Sequence, residues 1–193
     1  MLKNVNFVKS VYDKNSLIND SLPQIVLVGK SNVGKSSFIN ALSNNSKLAK
    51  VGANPGKTRS INYYLVNDLF YLVDLPGYGY SKMSQKEKDS TSKLVDLYLK
   101  SNNIAYIFFL VDIRHKPTSD DRTMEDYLSS FEIPFTIIAN KSDKLSNKVA
   151  KENIDMIRKA LFAKENIIPF SSEKKLGIDD VMSVIDNVIM KNT

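Results

Sequence analysis

The stretch Gly29-Lys30-Ser31-Asn32-Val33-Gly34-Lys35-Ser36 constrains this chain more than any other. It fits the pattern G-x-x-x-x-G-K-[ST] in the one context where that pattern has a mechanical meaning. The apolar run Ile25-Val26-Leu27-Val28 precedes it, and Ser37-Phe38-Ile39-Asn40-Ala41-Leu42 follows as a helix-like segment. A strand, a tight loop and a helix start place curled backbone N–H groups and the positive end of a helix dipole around a phosphate. The expectation is triphosphate binding, with the Lys35 ammonium on the β and γ phosphates and the Ser36 hydroxyl a ligand of Mg²⁺. Alone, the pattern leaves kinases, ATPases and GTPases open.

Three later stretches narrow the class. Asp74-Leu75-Pro76-Gly77 follows the apolar residues 69–73, so the Asp74 carboxylate falls at a strand's carboxyl end. There it can order Mg²⁺ through water while Gly77 approaches the γ-phosphate. Asn140-Lys141-Ser142-Asp143 follows the strand expected over 134–139. A carboxylate accepts two hydrogen bonds from the N1–H and 2-amino group of guanine, whereas adenine offers an acceptor at N1 and no 2-amino group. Asp143 therefore predicts GTP and GDP as ligands in place of adenine nucleotides. A site built to bond a group rejects an analogue lacking it by roughly 10⁴ to 10⁵. Phe170-Ser171-Ser172, at the end of a strand over 167–170, is placed to contact guanine from its other side.

A length of 193 residues fits one domain over 1–193, with 1–22 as an N-terminal extension carrying a short strand. The chain has no cysteine, which excludes disulfides, thiolate metal sites and prenyl or palmitoyl attachment. No apolar run approaches the roughly 18 residues of a membrane span, and Met1-Leu2-Lys3-Asn4 does not start a signal peptide. A cytoplasmic location without membrane contact is expected. Net charge is +6, and its distribution is informative: residues 21–67 contain no acidic side chain, while Lys30, Lys35, Lys47, Lys50, Lys57 and Arg59 are basic. That stretch either only avoids repelling a triphosphate or also meets RNA phosphates. Lys144, Lys148 and Lys151 are likewise open between a solvated helix face and RNA contact.

In chain order, residues 5–11 alternate loosely, with Val5, Phe7 and Lys9 on one side, as a short edge strand does; 17–23 reads as a polar linker. Residues 43–60 have no periodic apolar face and predict a mobile loop. Within it, Thr58 is placed to bind Mg²⁺ through its hydroxyl and sense the γ-phosphate through its amide, or is only a turn residue. Residues 61–66 and 69–73 predict a hairpin around Asn67-Asp68. The loop at 78–82 would be a second nucleotide-sensing switch. Ser84 and Glu87 fit a capping box for a helix to about Lys100, with Leu94, Leu97 and Tyr98 on its buried stripe. Residues 104–111 predict a strand buried on both faces. Helices are expected over 118–130, 146–163 and 178–191, the last with Val181, Val184, Ile185 and Val188 at helical spacing. Strands alternating with helices argue for an α/β fold: a mainly parallel sheet covered on both faces, with ligands at the strands' carboxyl ends.

These residues resemble the EngB group of bacterial small GTPases, relatives of Era within the TrmE-Era-EngA superfamily. The likeness spans nearly the whole chain. Its specific stretches are residues 29–40, Pro55-Gly56-Lys57-Thr58-Arg59-Ser60-Ile61-Asn62, Asp74-Leu75-Pro76-Gly77-Tyr78-Gly79-Tyr80 and Asp112-Ile113-Arg114-His115-Lys116-Pro117-Thr118. The resemblance implies a three-layer Ras-like P-loop GTPase fold and slow, Mg²⁺-dependent hydrolysis. It also implies a monomer that assists late assembly of the large (50S) ribosomal subunit through that particle or its rRNA, with a link to cell division and septation and none to DNA. It places nucleotide contacts on residues 29–37, with Ser37 among them, on Gly56, Lys57, Thr58, Arg59 and Ser60, and on the motifs at 74–77, 140–143 and 170–172. Lys35, Thr58 and Gly77 would be catalytic. Asn140 stands where this group often has threonine, although asparagine is the usual residue in GTPases generally.

Phosphoryl transfer in such a site rests on positioning and charge neutralisation. Tyr78 stands where Ras-type enzymes place a water-orienting glutamine, and a phenol is a poor substitute. In relatives with an asparagine at the position of Asn32, that side chain can help hold K⁺ beside the phosphates; here Asn32 does so or only braces the loop. His115, the only histidine, has a catalytic role open to it but better suits a loop-structuring or partner contact. Two rival functions remain at this point: a small-molecule P-loop kinase, which ATP preference would reveal, and a GTP-dependent binding module of the division machinery with no direct ribosomal role.

Overall fold

A computed structural model describes residues 1–51, 60–79, 84–100 and 103–192. Its seven strands are β1 (Val5–Val11), β2 (Gln24–Gly29), β3 (Ile61–Val66), β4 (Phe70–Asp74), β5 (Ile104–Asp112), β6 (Phe135–Asn140) and β7 (Ile167–Pro169). They lie side by side in the order β1-β3-β4-β2-β5-β6-β7. β2 pairs in parallel with β4 and β5, as β6 does with β5 and β7. β3 runs antiparallel to both β1 and β4, so it alone among these strands opposes the rest. The β3–β4 turn, residues 67–69, puts Asn67 and Asp68 at φ 51° and 59°, left-handed conformations that asparagine and aspartate tolerate.

Among the described residues, five α-helices cover the sheet: α1 (Lys35–Leu42), α2 (Gln85–Leu99), α3 (Ser119–Ser129), α4 (Asn147–Leu161) and α5 (Ile178–Asn192). Successive strand residues point to opposite faces, and the strands alternate accordingly. Val26, Val28, Ile107, Phe109, Val111, Ile137 and Ala139 meet Leu94 and Tyr98 of α2, Leu128 of α3 and Ile157 and Leu161 of α4. Ile25, Leu27, Phe108, Leu110 and Ile138 meet Phe38, Ile39 and Leu42 of α1 and Val181, Ile185 and Val188 of α5. The expected capping box opens α2 at Ser84 and Glu87, and a second opens α3 at Thr118 and Asp121.

Two expectations are corrected. Leu97 is exposed; Leu94, Tyr98 and Leu99 are the buried residues of α2. Residues 17–23 are not a polar linker in the packing sense, because Leu17, Ile18 and Leu22 lie against the core and the Tyr71 hydroxyl donates to Asp20 Oδ2 at 2.8 Å.

Candidate functional site

The loops leaving the carboxyl ends of β2, β4, β5, β6 and β7 meet at one end of the sheet. The phosphate loop leaves fully buried β2 and enters α1 through Gly34, whose φ of 109° sits in the left-handed region. An added Cβ there would lie 2.3 Å from the Asn140 side-chain nitrogen, so glycine is required twice over, by dihedral and by space. At α1's start no side chain caps the helix, which leaves its first N–H groups available to an anion. The buried Lys35 ammonium donates to Gly29 O at 3.0 Å. Burial lowers its pKa, and the charge of Asp74 opposes that shift.

Asp74 is 2% exposed. Its Oδ2 accepts from the Ser36 hydroxyl at 3.4 Å, while Oδ1 is buried with no hydrogen-bond partner among the described residues. Burial raises its carboxyl pKa, and Lys35 and then Ser36 pull it back. An orphaned carboxylate oxygen beside a hydroxyl and a phosphate loop fits a hydrated divalent cation such as Mg²⁺, which takes few protein ligands and keeps its waters. Leu75, Pro76 and Gly77 continue buried from β4, and a Cβ on Gly77 would meet Ser31 N at 2.8 Å. That close approach is completed by the bond from Ser31 N to Tyr78 O, 2.9 Å. The Tyr78 phenol turns from this junction to α3, donating to Asp121 Oδ1 at 2.7 Å; Asp121 Oδ2 accepts from Thr118 N and Oγ1. Burial, then the charge of Asp121, holds the phenol protonated far above its ordinary pKa. Lys30 reaches the same corner, its ammonium 3.4 Å from Thr118 Oγ1.

The guanine motif closes the other side. Asn140, buried at the end of β6, donates through Nδ2 to Val33 O at 2.9 Å and accepts from Lys141 N at 2.8 Å. Its amide therefore seats the phosphate loop. Lys141, at φ 68°, donates to Asn32 O and to Asp112 Oδ2, both at 2.9 Å. Ser142 N donates to Phe170 O at 3.0 Å. Asp143 Oδ1 accepts from Ser171 Oγ at 2.6 Å, and Oδ2 pairs with Lys144 at 2.9 Å. Burial would raise the Asp143 carboxyl, but the bonds from Ser171 and Lys144 outweigh it and leave it below its ordinary value. The result is an ionised, oriented acceptor. The hydroxyls of Ser142 and Ser172 are buried without a partner among the described residues.

Other residues named from sequence sit differently. The Phe170 ring packs in the core 4.6 Å from Phe38, so this residue meets the motif through its backbone. The buried Ser60 hydroxyl donates to Asn62 Oδ1 on β3 at 3.0 Å. Ser37 is half-buried on the first turn of α1. Gly56, Lys57, Thr58 and Arg59 lie outside the described residues, as do residues 80–82 of the second switch loop. Sequence reasoning assigned no role to Asp112, Arg114, Thr118 or Asp121, although three of these stand in the stretch 112–118; the density of charged and capping residues there was the available signal.

Residues 24–141 match the protein family described as 50S ribosome-binding GTPase. The probable GTP-binding protein EngB of Thermoanaerobacter pseudethanolicus is 41% identical over 187 residues, 96% of this chain and 97% of the relative. The chain belongs to the EngB family of GTPases. Its fold is accordingly the Ras-like one. A crystal structure of a probable GTP-binding EngB protein superposes with a TM-score of 0.74 at 23% identity, covering 87% of this chain and 99% of that one. Era, in complex with MgGDPNP and nucleotides 1506–1542 of 16S ribosomal RNA, superposes at 0.70 with 24% identity, over 85% of this chain and 55% of Era. In this EngB-family chain the four motifs follow the carboxyl ends of β2, β4, β6 and β7, at one end of the sheet. Among the described residues, no helix is long and apolar enough to cross a membrane.

Proposed function

We propose that this EngB-family GTPase is a Mg²⁺-dependent molecular switch that hydrolyses GTP slowly and assists late assembly of the large ribosomal subunit in the cytoplasm, with normal cell division and septation depending on it. The observation that carries the switch reading is the paired fixation of its two ends. Asn140 and Lys141 hold the phosphate loop, while Ser171 fixes Asp143, the carboxylate that this reading gives to guanine. The family's description as ribosome-binding supports the partner; Era, which shares the fold, binds ribosomal RNA, there the 16S RNA of the small subunit.

In this reading Asp143 accepts from guanine N1–H and the 2-amino group. Lys35 leaves Gly29 O for the β and γ phosphates, so a buried ammonium exchanges a neutral acceptor for an anion. Ser36 and Thr58 would hold Mg²⁺ directly, and Asp74 would hold it through water. The cation would neutralise charge developing on the phosphates. Gly77 and Thr58 sense the γ-phosphate through their amides, and its loss frees their loops. Among the described residues, the side chain that follows Gly77 is not free to orient the attacking water, since the Tyr78 hydroxyl is engaged by Asp121. Unassisted turnover is then as slow as the roughly 10⁻⁴ s⁻¹ of a switch lacking its activator, with K⁺ at Asn32 a further accelerant.

Co-sedimentation with purified large subunits, alongside single-turnover hydrolysis, tests this. The GTP-analogue form should pellet with the particles and the GDP form should not, and particles should accelerate hydrolysis. Absence from the pellet in both states would remove the ribosomal reading. Turnover of several per second by the protein alone would remove the slow switch.

A further inference from the structure

The stretch 112–118 holds a contact that the nucleotide reading does not use. Asp112 ends β5 in register with Asn140 of β6, so adjacent strand ends deliver its carboxylate beside Lys141. Oδ1 accepts from the Arg114 backbone N–H at 3.1 Å and from its Nε at 2.9 Å. Oδ2 accepts from Arg114 Nη2 at 2.7 Å and from Lys141 Nζ at 2.9 Å. The same ammonium donates to Asn32 O at 2.9 Å. A continuous chain thus runs from Arg114 through Asp112 and Lys141 to the phosphate loop.

A lysine side chain carries large rotamer freedom and a compact charge, and one exposed carbonyl is a weak anchor for it. Asp112 supplies the second, charged anchor, and the two-pronged Arg114 fork fixes the carboxylate's rotamer so that Oδ2 faces the ammonium. Without the carboxylate, Arg114 and Lys141 would face each other as like charges. All three side chains are partly open to solvent, at 20%, 38% and 27% for Asp112, Arg114 and Lys141. None of the three is counted among the buried residues of either core. Their arrangement therefore bears on how two loops are spaced rather than on whether the domain folds.

We propose that Asp112 is a positioning residue: by holding Lys141 on Asn32 O it sets the distance between the phosphate loop and the guanine motif, and so the residence time of the nucleotide. This rests on the nucleotide site described above. The clamp's described bonds involve Asn32, Asp112, Arg114 and Lys141 and not Gly77, so GDP and GTP are expected to depend on it equally.

The test is stopped-flow dissociation of a fluorescent GDP and of a fluorescent non-hydrolysable GTP analogue from the full chain. Asp112→Asn removes the charge at constant shape; loss of a charged hydrogen bond predicts roughly tenfold to a hundredfold faster release of both nucleotides, with association nearly unchanged. Lys141→Met should accelerate release, and adding Asp112→Asn to it should produce no further change, because the two act as one unit. The melting temperature without nucleotide should fall less than that of the nucleotide-bound form. Asp112→Ser gives a second variant where Asn disturbs folding. Unchanged release, independent additive effects of Asp112→Asn and Lys141→Met, or a nucleotide-free melt that falls as far as the nucleotide-bound one would overturn the proposal. Wild-type protein that fails to bind GDP at all would instead overturn the nucleotide reading beneath it.

Discussion

Replacing Tyr78 by phenylalanine separates a structural phenol from a catalytic one. The hydroxyl donates at 2.7 Å to a carboxylate that is only 7% exposed, and the ring can stay in place without it. Asp121 would keep its two bonds from Thr118 on Oδ2 but lose the described donor to Oδ1. A hydrogen bond to a charged group contributes about 2 kcal/mol. For a chain of this size that is a melting temperature lower by about 4 to 8 °C. Because burial and Asp121 keep the phenol protonated well above its ordinary range, it has no basic form to offer an attacking water at neutral pH. Differential scanning fluorimetry and single-turnover hydrolysis on the same preparation are the assays. Tyr78→Phe should melt earlier while hydrolysing GTP within about twofold of wild type. A rate lower by roughly a hundredfold with an unmoved melt would place the phenol at the reacting water and refute the reasoning.

Two further outcomes follow from named contacts. Asp143→Asn should move preference from GTP toward XTP, since an amide can donate to the 2-oxo group and no longer accepts two bonds from guanine; competition binding with both nucleotides shows it, and unchanged selectivity contradicts it. Tyr71→Phe breaks the bond to Asp20 that straps 17–23 to the sheet, at a cost of about 1 kcal/mol. Burial, then the Asp20 bond, pushes the Tyr71 phenol up to about 12, against about 10 when unfolded. The folded chain thus keeps a proton that the unfolded chain releases. The contribution is full below about pH 10 and is lost as pH rises through about 12. Urea midpoints should therefore show a wild-type advantage that narrows over that window; a constant gap would contradict it.

The motifs were legible because each is contiguous and directly follows its own strand, so that spacing along the chain specifies position in space. Contacts between loops were not. Asp112 and Lys141 are 29 residues apart and Tyr78 and Asp121 are 43 apart, and only the sheet order brings each pair together. The alternation of Ile168 and Phe170 on one face already points the Phe170 ring inward, so the expected purine contact falls to the residue's backbone. From Leu94, three- and four-residue spacings fit Leu97 and Tyr98 equally; packing selects the set with Tyr98 and Leu99. The apolar residues of 17–23 were too few to show a period, yet they cover the sheet.

Both margins of the seven-stranded sheet are blunted against lateral growth. On β1 the register with β3 slips between Phe7 and Lys9, a bulge that bends the rim, and Phe7 and Val8 stand exposed there beside Lys9. β7 at the far margin is three residues long and ends on Pro169, which has no N–H to offer. A neighbouring copy therefore meets a kinked strand with a cation at one rim and a stub lacking a donor at the other. Neither rim offers the flat, unpaired ladder from which fibrils nucleate.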